Sequence, residues 1–206
     1  MPSLALTFDD GPSQPWTGRV LDILKSYRVR ATFFLVGQNV EALPHVVGRM
    51  VEEGHALGNH SFHHWPVLSA ISPFYLVQEI ARTEEALRRA ADGTTRLFRP
   101  PFGHRSPWTE WVLRRLGYRL TLWDISSGDW RRTSPEAIAK RVFPALHPGA
   151  IILMHDGNGR ESTPHREATV LALPQLIEGC QQRGYTFITL PELIEQTEAS
   201  SGNSNA

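Results

Sequence analysis

The chain has 206 residues, of which 41% are hydrophobic and 20% are charged, so a disordered chain is excluded and one domain with a sizeable core is expected. The 21 basic and 21 acidic residues give a formal net charge of zero, so no overall field attracts nucleic acid or an anionic membrane. Cys180 is the only cysteine, which excludes an internal disulfide, and its apolar helical spacing predicts a buried side chain.

No targeting segment is visible in the sequence. The opening residues, MPSLALTFDDGP, lead directly into a predicted core strand, and no apolar run is long enough to span a bilayer. We therefore expect either a cytoplasmic protein or an exported protein whose leader has been removed.

Short apolar or β-branched runs recur along the chain and predict strands. These runs are Leu4–Phe8, Ala31–Val36, Ala56–Gly58, Arg96–Phe98, Arg119–Trp123, Ala150–Met154 and Thr186–Thr189. The stretches between them have helical spacing, which places apolar side chains on one face. Examples are the sets Val20, Leu24, Tyr27 and Val170, Leu173, Ile177, Cys180.

Local chemistry marks where the helices begin and end. Ser106-Pro107 and Ser134-Pro135 each combine a capping hydroxyl with a proline suited to the first helical position. Gly54, Gly117 and Gly184 each stand shortly before a predicted strand, as glycines at helix ends do.

A strand followed by a helix, repeated about seven times, predicts a parallel sheet. Our first choice is an α/β fold in which about seven parallel strands form a distorted, closed or nearly closed (β/α) barrel. An open doubly wound sheet is the second choice. We assign residues 1–196 to a single domain and residues 197–206, TEASSGNSNA, to a disordered polar tail.

Polar clusters follow five of the predicted strands. Since parallel strands of a barrel open their carboxyl ends on one face, we expect the clusters to form one site. They are residues 7–12 (TFDDGP), 59–61 (NHS), 99–103 (RPPFG), 126–130 (SSGDW) and 155–157 (HDG).

His60 and His64 are four residues apart, so on a helical turn their rings would lie one above the other and could share one metal ion. Two histidines with one carboxylate and open positions describe a catalytic metal site. The His-x-x-x-His spacing alone is weak evidence, and we interpret His63 as a neighbour that points elsewhere.

Asp9 and Asp10 are adjacent at a strand end, where two carboxylates repel each other unless a cation is present. A turn at Gly11 can bring both toward one ion, so that one binds the metal and the other acts as a base. Alone, the Asp-Asp-Gly-Pro sequence would favour an Asx-type turn.

His155 ends the apolar run Ala150–Met154 and is a candidate proton donor to a leaving group, although a buried histidine bonded to a backbone carbonyl has the same pattern. Asp129 would keep His155 protonated, and Arg99 would orient Asp9, unless both are ordinary ion-pair partners.

Four aromatic residues near these clusters could stack against sugar rings or belong to the core. They are Trp65, Phe102, Trp123 and Trp130, of which Trp130, directly after Asp129, is the strongest candidate.

Taken together, these motifs resemble the polysaccharide deacetylase family, also called the NodB-homology domain or carbohydrate esterase family 4. The resemblance is ordered and covers Leu6 to about Ile194. Its five motifs are Thr7–Pro12, His60–His64, Arg99–Gly103, Ser127–Trp130 and Leu153–Asp156.

The resemblance implies a metal, usually zinc with cobalt or nickel as substitutes, bound by Asp10, His60 and His64. It also implies Asp9 as the general base positioned by Arg99, and His155 as the general acid positioned by Asp129. The N–H of Phe102 would help to hold the oxyanion, and Trp130 and Leu153 would line the acetyl pocket. Many relatives carry a carboxylate where this chain has Ser126, so we assign no role there.

We therefore expect a metal-dependent enzyme that removes N-acetyl groups from an amino-sugar polymer or oligomer, of the chitin or peptidoglycan type, and releases acetate. The expected partner is an N-acetylated glycan, with no nucleic acid and no membrane insertion, and the expected state is a monomer. The alternatives are hydrolysis of a cyclic imide or ureide, O-deacetylation of acetylxylan, or a carbohydrate-binding module without catalysis.

Overall fold

The computed structural model describes residues 1–65, 72–91, 95–157 and 165–202. In these ranges the backbone forms eight strands and eight α-helices. The strands are β1 Ser3–Asp9, β2 Thr32–Leu35, β3 Ala56–Asn59, β4 Leu97–Phe98, β5 Arg119–Leu120, β6 Ile125–Ser126, β7 Ile151–His155 and β8 Thr186–Ile188. The helices are α1 Trp16–Ser26, α2 Gly37–Ala42, α3 Pro44–Glu52, α4 Pro73–Ala90, α5 Thr109–Arg115, α6 Pro135–Val142, α7 Glu167–Gln182 and α8 Leu190–Gly202.

The strands form one parallel sheet in the order β5-β4-β3-β2-β1-β7-β6, and β8 pairs with the first residues of β1. The alternating α/β pattern and the parallel sheet predicted from the sequence are therefore confirmed. Within the described ranges β5 and β6 stand at opposite ends of this order and do not pair, so the sheet is a curled half-barrel. Of the two forms that the sequence analysis allowed, the nearly closed barrel is therefore confirmed and the fully closed barrel is wrong.

Alternating side chains of each long strand face two different environments, as the period of a strand requires. On one face, Leu6, Phe8 and Met154 belong to the main core, which includes buried residues of α1, α3, α6 and α7. On the other face, Ala5 and Phe34 pack in a smaller cluster with Leu190 and Leu193 of α8. Helix α8 therefore packs against the second face of the sheet.

The predicted helix ends at Gly54, Gly117 and Gly184 are confirmed. Each glycine has a positive φ (79°, 71° and 81°) and directly follows the cap residue of α3, α5 or α7. The following residue donates its N–H back into the last turn, for example His55 to the Met50 carbonyl at 2.9 Å. This is the Schellman pattern, in which glycine avoids the steric cost of a Cβ.

The two predicted serine caps have different outcomes. Ser134 caps α6, where its hydroxyl accepts the Ala137 N–H at 3.3 Å. Ser106 caps no helix, because residues 107–108 form a turn and α5 begins at Thr109. Here the backbone N–H of Ser106 donates to the hydroxyl of Thr109 at 2.9 Å, whereas a capping serine would accept a backbone N–H with its own hydroxyl.

Two further expectations are corrected by the fold. The short strand β6 was not predicted, because two residues are too few to show a period, and it exists through pairing with β7. The tail predicted from Thr197 is helical as far as Gly202, and residues 203–206 lie outside the described ranges. Two contacts accompany this helical extension: the Thr197 hydroxyl donates to the Leu193 carbonyl at 2.9 Å, and Arg119 pairs with Glu198 at 2.6 Å.

Candidate active site

All five predicted polar clusters lie where strands end at one edge of the sheet, and the cluster at 126–130 begins at the last residue of β6. Asp9 is the last residue of β1 and pairs in register with His155, the last residue of β7. Asn59 ends β3 and pairs with Phe98, the residue before Arg99. Because all these strands are parallel, their carboxyl ends meet at one edge, as predicted for a site of this fold.

Asp10, His60 and His64 form a buried cluster that could hold a metal ion, with one ligand atom from each residue and all three atoms within 4.8 Å of one another. The Nε2 atoms of His60 and His64 lie 3.4 Å and 2.9 Å from the Asp10 Oδ1. No other such group of histidine, cysteine and carboxylate side chains occurs in the described part of the chain.

The hydrogen bonds of the cluster fit a metal ligand set. His60 Nδ1–H donates to the Arg99 carbonyl at 2.7 Å, which turns the other ring nitrogen, Nε2, toward Asp10 Oδ1 at 3.4 Å. Bonds to His60 and His64 outweigh burial and hold the pKa of Asp10 well below its usual value, so the carboxylate is charged. Two imidazoles and one carboxylate suit Zn²⁺ and related transition metals.

The histidine pair is held by a loop, so the predicted helical turn is wrong. Residues 60–65 contain no helix, and Ser61 (φ 66°) and His64 (φ 54°) adopt left-handed backbone conformations. The ring centroids of His60 and His64 are nevertheless 5.0 Å apart. His63 is not part of the metal cluster and contacts Glu79 instead, which confirms the prediction that its side chain points elsewhere.

Asp9 lies beside the cluster and is bound by a buried guanidinium. Arg99 Nη1 donates to Asp9 Oδ1 at 2.7 Å and to the Thr7 hydroxyl at 2.8 Å, while Nη2 donates to the Leu122 carbonyl at 2.8 Å. The guanidinium carbon also lies 4.0 Å from the ring centroid of Phe34. These contacts leave Asp9 Oδ2 facing His60 Nε2 at 3.8 Å, next to the metal cluster.

His155 and Asp129 form a second polar pair at the same edge. Asp129 accepts the His155 Nδ1–H and backbone N–H, each at 2.8 Å. It also accepts hydroxyl bonds from Ser127 at 2.9 Å and Thr169 at 2.8 Å. Burial by itself lowers the pKa of His155, but the charge and hydrogen bond of Asp129 outweigh it and raise the pKa to about 9. His155 is therefore protonated at neutral pH, as a proton donor must be.

The residues predicted to contact substrate occupy different depths. Phe102 is 56% exposed, has a φ of 57°, and its ring lies 4.9 Å from that of His64. Trp130 is 51% exposed, and Leu153 is buried on the same strand and face as His155. Of the remaining aromatics, Trp65 is partly exposed and Trp123 packs against Gly103. Three rings that are at least partly accessible to solvent, those of Trp65, Phe102 and Trp130, therefore lie close in sequence to the site residues.

Asp156 supports the turn of Asp9 and Asp10, a role that its sequence position did not reveal. Its N–H donates to the Asp9 carbonyl at 3.2 Å, and its Oδ2 accepts the Thr17 hydroxyl at 2.5 Å. Burial raises its pKa to about 7. A Cβ on Gly11 would lie 2.2 Å from the same carboxylate, so the turn passes too close for any other residue at position 11.

Ser126, to which the sequence analysis assigned no role, lies exposed on β6. Asp124 accepts the Ile151 N–H at 2.9 Å, so it stabilises the sheet edge. The buried Glu79 of α4 contacts the histidine loop and was missed, because no sequence motif connects positions 60–64 with position 79.

Comparison with known proteins agrees with this geometry. Residues 1–121 match the family described as polysaccharide deacetylase. A chitooligosaccharide deacetylase of Bradyrhizobium sp. is 39% identical over 201 residues, which cover 93% of this chain and 90% of the relative. A peptidoglycan-N-acetylglucosamine deacetylase of Bacillus cereus is 35% identical over 198 residues, covering 95% of this chain and 69% of the relative.

A solved structure also resembles the chain closely. The family 4 acetyl xylan esterase from Clostridium thermocellum, in complex with a cobalt ion, superposes with a TM-score of 0.83 at 36% identity, over 94% of this chain and 90% of that chain. The half-barrel and its site therefore define a metal-dependent hydrolase whose fold belongs to the α/β class. At the level of identity and coverage found here, the chain belongs to the polysaccharide deacetylase family.

Proposed function

We propose that this enzyme removes N-acetyl groups hydrolytically from an amino-sugar polymer or oligomer, such as a chitooligosaccharide or peptidoglycan N-acetylglucosamine, and releases acetate. One observation carries the proposal. A buried cluster of metal-ligand atoms is flanked by the carboxylate of Asp9 and the protonated imidazole of His155, which stand at paired positions of neighbouring strands. That arrangement offers a base and an acid to one reacting group.

Asp10, His60 and His64 would hold the metal, for which we propose Zn²⁺, with Co²⁺ or Ni²⁺ as substitutes. When bound, the ion would polarise the acetyl carbonyl and acidify the attacking water. Asp9 takes the proton of that water, and Arg99, which donates to Asp9 Oδ1 at 2.7 Å, holds its carboxylate in place.

The remaining residues act on the developing charges. The Phe102 N–H, which donates no hydrogen bond within the described ranges, helps to hold the oxyanion of the tetrahedral intermediate. His155 then donates its proton to the amide nitrogen, so that the C–N bond breaks and a neutral amine leaves. Asp129 orients the imidazole and stabilises its charge. Trp130 and Leu153 line the pocket for the acetyl methyl.

O-deacetylation of acetylxylan is a second candidate, because one close structural relative is an acetyl xylan esterase. The chemistry differs at the leaving group, since an alkoxide leaves more readily than the amide anion that would leave without a proton, so ester hydrolysis depends less on a proton donor. A His155→Ala variant separates the two reactions: it should lose nearly all amide hydrolysis and retain a larger fraction of ester hydrolysis.

The direct test is acetate release from a panel of chitooligosaccharides, peptidoglycan fragments and acetylxylan, with the products identified by mass spectrometry. Allantoin serves as a small ureide control. Asp9→Asn should keep the metal and lose most turnover, because it removes a proton acceptor and no ligand. His60→Ala should lose both metal and activity. Unchanged metal content in His60→Ala would contradict the ligand assignment.

We also propose that the enzyme acts as a monomer, since a single chain is sufficient to supply the metal ligands, the base and the acid of the proposed site. Light scattering coupled to size-exclusion chromatography measures this directly. No helix in the described ranges combines the length and apolarity needed to cross a membrane.

A further inference from the structure

The loop that carries both histidine ligands has an unfavourable backbone. Ser61 and His64 have φ values of 66° and 54°, a region that side chains with a Cβ rarely adopt. Such conformations persist when the surrounding structure holds them in place. The geometry of the metal cluster therefore depends on whatever fixes the residues between these two positions.

Glu79, on helix α4, supplies that restraint. Its side chain is buried, with 3% of the residue exposed, and it points into the loop. One carboxylate oxygen accepts the backbone N–H groups of Phe62 at 3.0 Å and His63 at 2.8 Å. The other oxygen accepts the His63 Nδ1–H at 2.6 Å. Three hydrogen bonds from one carboxylate thus act on the two residues between Ser61 and His64.

The carbonyls of the same loop are held from the opposite side. The N–H of Gly37 donates to the Ser61 carbonyl at 3.0 Å, and that of Gln38 donates to the Phe62 carbonyl at 3.1 Å. Both donors lie in the first turn of α2. The loop is clamped between α2, which binds its carbonyls, and Glu79, which binds its amides.

We propose that Glu79 is a positioning residue for the metal site: it orders the loop so that His60 and His64 present their Nε2 atoms to one divalent cation before the cation binds. The inference rests on the proposed function only for the existence of that cation. Removing the restraint lowers the affinity for the cation, because part of the binding free energy is then used to order the loop.

The test is a titration of the full chain with Co²⁺ alone, followed by its visible absorption and by calorimetry. Glu79→Ala should bind Co²⁺ about 10- to 100-fold more weakly than wild type. Glu79→Gln should lose less, about 3- to 10-fold, since its amide oxygen still accepts both backbone N–H groups. Thermal unfolding of each metal-free variant records any loss of stability separately.

Two control variants separate positioning from general destabilisation. Glu85 lies on the same helix but is only partly buried and is paired with Arg88 and Arg89, so Glu85→Ala should leave Co²⁺ affinity unchanged. Leu176→Ala removes a buried core side chain of α7 and should lower the melting temperature without changing Co²⁺ affinity in the folded protein.

Glu79→Ala that binds Co²⁺ within twofold of wild type would overturn the inference, as would a loss of affinity equal to that of Leu176→Ala. If Glu79→Ala does not fold, Glu79→Gln decides the question by the same twofold limit. A wild-type chain that binds Co²⁺ but releases no acetate from any glycan would contradict the proposed function and leave the role of Glu79 unaffected.

Discussion

Replacing Asp129 with Asn should move the alkaline limit of activity to lower pH. Asp129 contacts His155 through two hydrogen bonds of 2.8 Å each, and with its charge removed only the neighbouring carboxylates Asp9 and Asp10 still raise the pKa of His155. Burial acts in the opposite direction and favours the neutral imidazole. Asn has nearly the same shape but is neutral, and its amide nitrogen cannot accept the hydrogen bonds that one of the two Asp129 oxygens accepts.

The size of the effect follows from the protonated fraction of His155. With a pKa of about 9, nearly all of the imidazole carries its proton at a pH of roughly 7.5. With a pKa at or below its ordinary value of 6.5, at most about a tenth does so. At this pH, kcat/KM should therefore fall about tenfold or more, and at a pH of about 6 the two proteins should differ much less. A bound divalent cation offsets the charges of Asp9 and Asp10 in both proteins, so the comparison isolates Asp129.

The assay is acetate release from a chitooligosaccharide across the pH range, with metal content checked at each pH. Asp124→Asn is the matched control, because it makes the same substitution just before β6 at a carboxylate that accepts the Ile151 N–H and does not contact His155. An alkaline limit that coincides in wild type and Asp129→Asn would refute the assignment of His155 as the proton donor set by Asp129.

Two further predictions concern stability. Burial lowers the pKa of His55 from 6.5 to about 4. Between these pH values the unfolded chain binds a proton at His55 and the folded chain does not. The free energy of unfolding should therefore fall by up to roughly 3 kcal/mol as the pH decreases from 6.5 to 4. The control is His55→Asn, which keeps an acceptor for the Ala31 N–H but cannot titrate. Urea unfolding should show that the free energy of unfolding falls more steeply with decreasing pH in wild type than in this variant. Equal slopes in the two proteins would contradict the prediction. Arg28 holds the left-handed position after α1 with a φ of 55°, so Arg28→Gly should stabilise the fold by about 0.5–1 kcal/mol. Thermal melts should show no such gain for Arg28→Ala, which keeps the Cβ, and equal effects of the two variants would show that the conformation is not costly.

Much of the fold follows from local patterns. The run Leu4–Phe8 lies within β1, and the helix predicted around Val170, Leu173, Ile177 and Cys180 is α7. The three glycines that end α3, α5 and α7 were recognised because their backbone requirement is local. By contrast, β6 depends on pairing with β7, and the extension of α8 beyond Thr197 accompanies contacts with distant residues such as Arg119.

The candidate site shows the same division. The motifs named the residues that meet, including Asp10, His60 and His64, because the residue types and their places after strands are written in the chain. They did not reveal how the two histidines meet: the spacing suggested a helical turn, whereas the structure has a loop with two left-handed residues.

What the sequence by itself determined is the set of chemical groups and their common edge, since parallel strands carry the residues that follow them to one side. Only the tertiary structure decided the distances, burial and supporting bonds. Glu79 contacts the loop from another helix, Thr169 reaches Asp129 across 40 positions, and Asp156 packs against Gly11. Such contacts arise from the packing of distant segments, whose separation along the chain carries no periodic signal.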